Sequence, residues 1–518
     1  MLLPIFLCPG RPGQGNSSAL TIDNPWNRQV IATRVAPRCL RLILAMSKHP
    51  YIPKVPDKKH VPLRTKIMWG FGGLADNFMF NTMAALGTLV YVNHFKLSPV
   101  LAGLALGLPR IFDAITDPII GNMSDNSKSR FGRRRPYMFF GVLGCVILLP
   151  LLWTLPMTET ASNPWYTNMP FLYIVVMGSL LALAYTFFVV PYTALGLELT
   201  PDYDERTRVV RWRMYIGLLG SLAAGWLFRL AADSFWPDLG AGAFWVTVGV
   251  AGIVLVTGMI PVFGCREDLA IEEQEPMRFF EAVRYTLTNQ PFVILFITYV
   301  TIIIALFSAQ SIQPLILQHY VFEGDAVRLG NFQGWLMTMG MVLSYGSIGL
   351  IGWISMRTSK RSAMVAGLGL ATAGTALLFL ALDPRWPWMI FVAYFFAFLG
   401  FQGCWLMVDS MVGDICDEDE LHTGRRREGM FSSVKGFALK AAQGLTFGVG
   451  GYMATAAGYD PAKVEQAGLD EITAWRMKAA LIGFQIAGLL LAMAIIWLYP
   501  ITREKAAETQ RRLQAKRT

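Results

Sequence analysis

Charge is the scarcest property of this sequence: 15% of its 518 residues are Asp, Glu, Lys or Arg, against roughly 25% in ordinary soluble domains. With 54% hydrophobic residues and a mean hydropathy of +0.43, a water-soluble enzyme of this make-up would precipitate. Histidine and cysteine are also sparse, at five and six. The sequence holds no HExxH, no CxxC and no short Cys/His cluster, which excludes the common zinc sites and a disulfide framework. It has no GxSxG elbow and no GxxxxGK[ST] phosphate loop, so hydrolase chemistry and ATP-driven transport have no support within the chain. No catalytic residue and no cofactor are expected.

What the chain has in abundance is apolar sequence. At roughly 20 apolar residues per bilayer crossing, the blocks between Ile67 and Pro500 leave room for about a dozen helices, predicted at 66–95, 98–124, 136–157, 169–198, 209–232, 242–264, 291–320, 331–356, 362–382, 388–414, 429–457 and 475–500. Six precede and six follow a polar connection at 265–290, where Phe279, Phe280, Ala282 and Val283 suggest a short amphipathic helix. The reading is therefore an all-α membrane protein of the major facilitator layout, twelve transmembrane helices in two six-helix halves, 66–264 and 291–500. A basic tail, 501–518, follows.

Basic residues crowd into alternate connections: Lys128 with Arg130, Arg133, Arg134 and Arg135; Arg206 with Arg208; Arg357 with Lys360 and Arg361; Arg425 to Arg427; and the tail. The intervening connections hold almost none. This is the positive-inside bias of a multi-pass protein of the plasma (inner) membrane with both termini in the cytoplasm, and it accounts for the +10 net charge without nucleic acid. Residues 1–65 differ from the rest: prolines recur at Pro4, Pro9, Pro12, Pro25, Pro37, Pro50, Pro53, Pro56 and Pro62, and no run is long enough to cross. This stretch reads as a disordered cytoplasmic arm, with Met46 as an alternative start.

Ionisable residues at membrane depth cost roughly 2.5–3.5 kcal/mol each on insertion scales, and survive where they face a partner or a wet cavity. The second predicted helix carries the densest set. In Pro109-Arg110-Ile111-Phe112-Asp113-Ala114-Ile115-Thr116-Asp117-Pro118 the charges fall at i, i+3 and i+7, along one helix face. Two carboxylates one turn apart repel when ionised and so either hold a proton or recruit a cation; Thr116 adds a neighbouring oxygen. The bland alternative is an Arg110–Asp113 ion pair that only fixes packing.

At this segment the sequence closely resembles the glycoside-pentoside-hexuronide:cation symporter family, typified by the melibiose carrier. The resemblance rests on Arg110 through Gly121 and Ser129 through Tyr137, with further matches at Tyr185-Thr186, Pro191-Tyr192, Asp204 to Arg208, Trp405 and Asp414 to Asp417. It spans Trp69 to about Pro500. It implies that Asp113 and Asp117 bind the coupling cation, Na+ or H+, with Thr186 and Lys440 close by. It also implies a sugar site that includes Arg213, Asn77 and Trp405, to which Asp76, Arg110 and Tyr192 add polar groups. A guanidinium fork suits adjacent hydroxyls or a carboxylate, and a tryptophan can stack under a pyranose face.

Departures from the family pattern limit the carry-over. Asn77 and Val189 stand where the melibiose carrier has its two sugar-binding carboxylates, with Asp76 one residue before Asn77 and thus about 100° around the helix. Asp409 has no acidic counterpart and is either a substitute anchor or a lysine's partner; Lys435 reads as a snorkelling or packing residue. Gly121, Asp125, Arg133 and Arg134 resemble a gating loop in which a charge clasp holds one state. The expected function is inward symport of a glycoside with a monovalent cation by a monomer in the bilayer. The alternatives are an amphiphile substrate such as a lysophospholipid, carried by the family's distant eukaryotic relatives, and a sugar sensor that does not transport.

Overall fold

The computed structural model describes residues 61–127, 129–154, 168–200, 203–265, 284–423 and 428–517. The proline-rich arm with Met46, the expected amphipathic helix at Phe279–Val283 and the Arg425–Arg427 run lie outside the described residues. Everything regular in the described residues is helical. Twelve helices of 17 to 35 residues follow one another: α1 Leu63–Asn93, α2 Pro99–Asp125, α3 Arg135–Leu151, α4 Met169–Glu198, α5 Tyr203–Ala224, α6 Leu239–Gly264, α7 Gln290–Phe307, α8 Ala326–Arg357, α9 Lys360–Ala381, α10 Met389–Thr423, α11 Glu428–Ala456 and α12 Glu471–Trp497. Short pieces extend α5 (Leu227–Ala231) and α7 (Ala309–Ile316, then a π-turn at Leu317–Val321), and α13 Arg503–Arg517 ends the chain.

Local sequence sets the helix starts. Ser98, Asn168, Asp238, Asn289, Asp325, Ser359 and Asp470 each accept a backbone N–H of the first turn, the standard satisfaction of orphan amide donors. Proline in the first turn of α2, α4 and α7 sits where a missing N–H costs nothing. Nine helices among the described residues are individually long and apolar enough to cross a membrane. The others fall short for visible reasons: α3 has 17 residues, α1 carries Asp76, Asn77 and Asn81, and α11 carries Lys435, Lys440 and Gln443.

Packing shows a duplicated unit. In the first six helices α1 packs on α5 and α6, α2 on α4, and α3 on α4 and α6; in the second six, α7 packs on α11 and α12, α8 on α10, and α9 on α10 and α12. Each pairing recurs six helices later, as two repeats of one six-helix bundle require. The groups meet mainly along α2 and α11, with α5 and its extension against α8.

The α2–α11 seam is built from glycine. A Cβ on Gly103 would lie 2.2 Å from the Phe447 carbonyl oxygen, one on Gly107 2.2 Å from that of Gly444, and one on Gly451 2.1 Å from that of Pro99. Small residues let backbones approach closely in membrane helix pairs. The same ridge of α2 continues through Ile111, which touches Gly444, to Ile115 and Ile119, which are 55% and 53% exposed. Contact is thus tight toward the start of α2 and lost toward its end.

Other ties between the groups lie at the same closed end: Asn93 Nδ2 donates to Gln318 Oε1 at 2.6 Å, Lys96 pairs with Glu465 at 2.8 Å, and Arg229 Nε donates to Asn331 Oδ1 at 3.2 Å. The opposite end carries the α2–α3 and α8–α9 connections with their basic residues, and there the groups part.

α10 runs on to Thr423 instead of ending near residue 414, because its last turns are fastened from three sides. Lys360 Nζ meets Asp414 at 2.7 Å, Tyr285 donates to Asp419 at 2.8 Å and Lys505 of α13 meets Glu418 at 2.5 Å.

Candidate functional site: two carboxylates shared between the repeats

α2 carries prolines at Pro109 and Pro118 inside the helix, each depriving the carbonyl four residues earlier of its amide partner. Between them lies the charged segment. Asp113 is fully buried. Its Oδ2 lies 2.9 Å from Lys440 Nζ, and Asp117 Oδ2 lies 2.5 Å from the same nitrogen, so one ammonium from α11 bridges both carboxylates of α2. Thr186 of α4 donates to Asp113 Oδ1 and stands 3.3 Å from Asp117 Oδ1. Thr116 donates to the Asp113 carbonyl at 3.1 Å, its hydroxyl 3.5 Å from that of Thr186. The structure therefore brings together all five residues expected at a cation site, from two helices of one repeat and one of the other. Two negative charges face one positive, leaving a residual −1 among hard oxygen donors, which suits a proton or a small hard cation.

A second cluster adjoins it. Arg213 of α5 donates to Asp76 Oδ2 at 2.9 Å, and Tyr185 donates to Asp76 Oδ1 at 2.7 Å. The guanidinium also lies 5.8 Å from the Trp69 ring and 5.4 Å from that of Tyr192. Tyr192 is fully buried and donates its hydroxyl to the Trp69 carbonyl at 2.7 Å. Lys440 Nζ sits 5.8 Å from the Tyr185 ring centre. A continuous line of contacts thus runs Arg213, Asp76, Tyr185, Lys440, then Asp113 and Asp117. Tyr185, one residue before Thr186, was singled out in the sequence only as part of a motif; nothing there signalled that its hydroxyl would tie the two clusters.

Several expected ligands lie elsewhere. Asn77 packs into the α1–α5 seam: its Nδ2 donates to the Gly73 carbonyl at 2.9 Å and its Oδ1 accepts from Ser221 at 2.7 Å. Trp405 stands edge-on to Tyr299 and Phe401, with ring centres 5.2 and 5.7 Å away. Asp409 accepts from Lys435 on α11, so the two residues read separately in the sequence form one pair. Arg110 makes no ion pair with Asp113. Its guanidinium lies 4.3 Å from the Phe80 ring centre and donates to the Phe80 carbonyl at 3.3 Å. At the loop end, Asp125 Oδ1 accepts from Arg134 Nε and Nη2 at 3.0 and 2.6 Å, fastening the end of α2 to the start of α3; Arg133 is half-buried beside it and Gly121 comes close to Val190.

The arrangement performs no bond chemistry and offers instead two charged clusters at the seam between repeats. Over 456 residues the chain is 27% identical to the glucuronide carrier protein homolog of Escherichia coli strain K12, covering 86% of this chain and 94% of that one. It is 24% identical over 513 residues to the sodium-dependent lysophosphatidylcholine symporter 1 of Mus musculus, covering 92% and 93%. Among solved structures it superposes on a bacterial homolog of the human lysosomal transporter Spinster, in an inward-facing and unoccupied conformation, with a TM-score of 0.63 at 15% identity, over 86% of this chain and 98% of that one. The MFS/sugar transport protein family model matches residues 68–503, nearly the whole helical region, and the chain therefore belongs to that family of membrane transporters.

Proposed function

We propose that this protein is a secondary active symporter that moves a glycoside inward together with Na+ or H+, the two repeats rocking about the seam where α2 meets α11. The observation that carries this reading is the Lys440 ammonium set between Asp113 and Asp117 at 2.9 and 2.5 Å. A cation or proton arriving at the carboxylates competes with that ammonium, and because Lys440 belongs to the opposite repeat, loading the site alters what holds the repeats together. Such differential interaction is what a ligand needs in order to shift a two-state equilibrium. All twelve long helices cross the membrane in this reading. The basic connections support an orientation with the open end and both termini in the cytoplasm, and in this reading the carrier works as a monomer in the plasma membrane.

The test is uptake into proteoliposomes under a Na+ or H+ gradient, set beside counterflow without one, across a glycoside panel. Asp113→Asn and Asp117→Asn should each abolish accumulation while leaving some counterflow; full accumulation in both variants would sink the proposal. A sensor would bind without counterflow. An amphiphile substrate is the second reading, favoured by a cavity between the repeats whose lining is mostly apolar and by similarity to a relative named for lysophosphatidylcholine. Lysolipid that displaces bound sugar and is itself transported would favour it.

A further inference from the structure

Three apolar helices end or begin together at the basic end of the second repeat. α8 stops at Arg357, α9 starts at Lys360 and α12 stops at Trp497, each long and apolar enough to cross a membrane. The place where they meet therefore lies at headgroup depth. Its rim is apolar and outward-facing, because Trp353, Met356, Trp497 and Leu498 are all exposed. Tryptophans gather at the membrane–water boundary, where an amphipathic ring is at home.

Three guanidiniums collect on this rim. That of Arg357 lies 4.3 Å from the Trp353 ring centre, and that of Arg361 lies 5.0 Å from the Trp497 ring centre. Arg361 Nη1 also donates to the Trp497 carbonyl at 3.2 Å, fastening the start of α9 to the end of α12. Arg503 Nη1 donates to the Thr358 carbonyl at 3.5 Å, which brings the start of α13 to the α8–α9 connection. The nearby acids are engaged elsewhere: Asp414 with Lys360 and Glu418 with Lys505. Glu504, next to Arg503 in the chain, offsets one of the three charges, and two remain.

The corresponding connection of the first repeat is built differently. There Arg134 closes the α2–α3 connection on Asp125 at 2.6 Å, so that charge is neutralised inside the protein. Charge that serves topology alone needs no fixed partner. Here two of the guanidiniums are laid against indole rings at the lipid boundary, which leaves their edge donors free for paired oxygen acceptors. At that depth the bilayer itself supplies such acceptors.

We infer that the α8–α9 connection, with the end of α12 and the start of α13, forms a binding site for an anionic phospholipid in the leaflet at the basic end. Arg357, Arg361 and Arg503 take the phosphate oxygens, while Met356 and Leu498 meet the acyl chains. The excess of positive charge selects a headgroup with net negative charge over a zwitterionic one. The site lies wholly on the second repeat, apart from the carboxylates of α2, and does not rest on the symport reading.

The test is native mass spectrometry of the full chain, released from neutral detergent holding equal amounts of phosphatidylglycerol and phosphatidylcholine with the same acyl chains. The wild type should retain phosphatidylglycerol about fivefold better than phosphatidylcholine. Arg357→Gln, Arg361→Gln and Arg503→Gln together should bring that ratio below about twofold. Removing three exposed arginines of the first repeat instead, by Arg64→Gln, Arg130→Gln and Arg211→Gln, should leave it near the wild-type value. Added sn-glycerol 3-phosphate, which has the phosphate without the chains, should not displace the lipid.

Equal retention of the two lipids by the wild type overturns the inference, as does a triple variant of the second repeat that keeps the preference. An equal loss in the first-repeat variant would reduce the effect to overall charge, and displacement by glycerol phosphate would make the site one for free phosphate; either result also overturns it. Should the second-repeat triple variant not fold, Arg361→Gln alone has to lower the ratio by about twofold, and an unchanged ratio there counts against the site in the same way.

Discussion

The Arg213–Asp76 pair is one interaction with two possible costs. With side chains 29% and 13% exposed, the pair is shielded enough that removing one partner leaves the other charge in poor solvent, a loss of roughly 3–5 kcal/mol in buried cases. Part of that loss is relieved if both charges go together. Arg213→Ala should therefore lower the melting temperature without substrate, and Arg213→Gln combined with Asp76→Asn should recover at least half of the drop. If the double variant is as unstable as the single one, Arg213 is anchored by the Trp69 and Tyr192 rings instead of by Asp76. In the sequence Arg213 and Asp76 were expected in one sugar site, where a guanidinium fork suits hydroxyls or a carboxylate. That Tyr185 shares Asp76 was not legible, because it depends on how α4 turns against α1.

At the scale of helices, α2 and α11 determine how the repeats meet. Gly107 and Gly444 leave no room for a side chain between them, the Gly107 position facing the Gly444 carbonyl oxygen at 2.2 Å and the Gly444 position the Ile111 Cγ1 at 2.7 Å. Gly107→Leu would force the backbones apart, at a typical overpacking cost of about 1–3 kcal/mol. Because the contact is lost toward the other end of the same helices, that penalty falls on the form seen here. Expected outcomes are slower counterflow and easier thiol labelling from the outside of a cysteine placed at Val449; unaltered labelling and counterflow would show that the seam tolerates separation. The same reasoning explains the helix boundaries. Ser98, Asn168 and Asp470 announce their caps in the sequence, whereas the long end of α10 depends on Lys360, Tyr285 and Lys505, residues 54, 134 and 87 positions away by number.

For the whole molecule, the observed form is sealed where Asn93 meets Gln318 and Lys96 meets Glu465, and open where the basic loops lie. Alternating access requires that seal to break in every cycle. Bridging Lys96→Cys to Glu465→Cys with a short cleavable bifunctional thiol reagent should stop uptake, leave substrate binding from the open end intact, and be reversed by cleavage. Uptake that continues with the bridge in place would exclude rocking about the seam. Among the described residues the protein's own thiols at Cys145, Cys265, Cys404 and Cys416 are buried, and the test is run with Cys8 and Cys39 replaced by serine.

The sequence by itself determined that the chain is helical and membrane-bound and that Asp113 and Asp117 share one face of α2, and it led to the expectation of six helices and six. Hydropathy and a period of 3.6 residues are local properties and survive without the fold. It could not decide which charges cancel. Lys440 lies 323 residues from Asp117 and Lys435 lies 26 from Asp409, yet both pairs form, while Arg110 and Asp113, one helical turn apart, do not pair. Ion pairing depends on distances between helices, and those are fixed only when the glycine seam and the repeat packing bring α2, α4, α10 and α11 to their final separations.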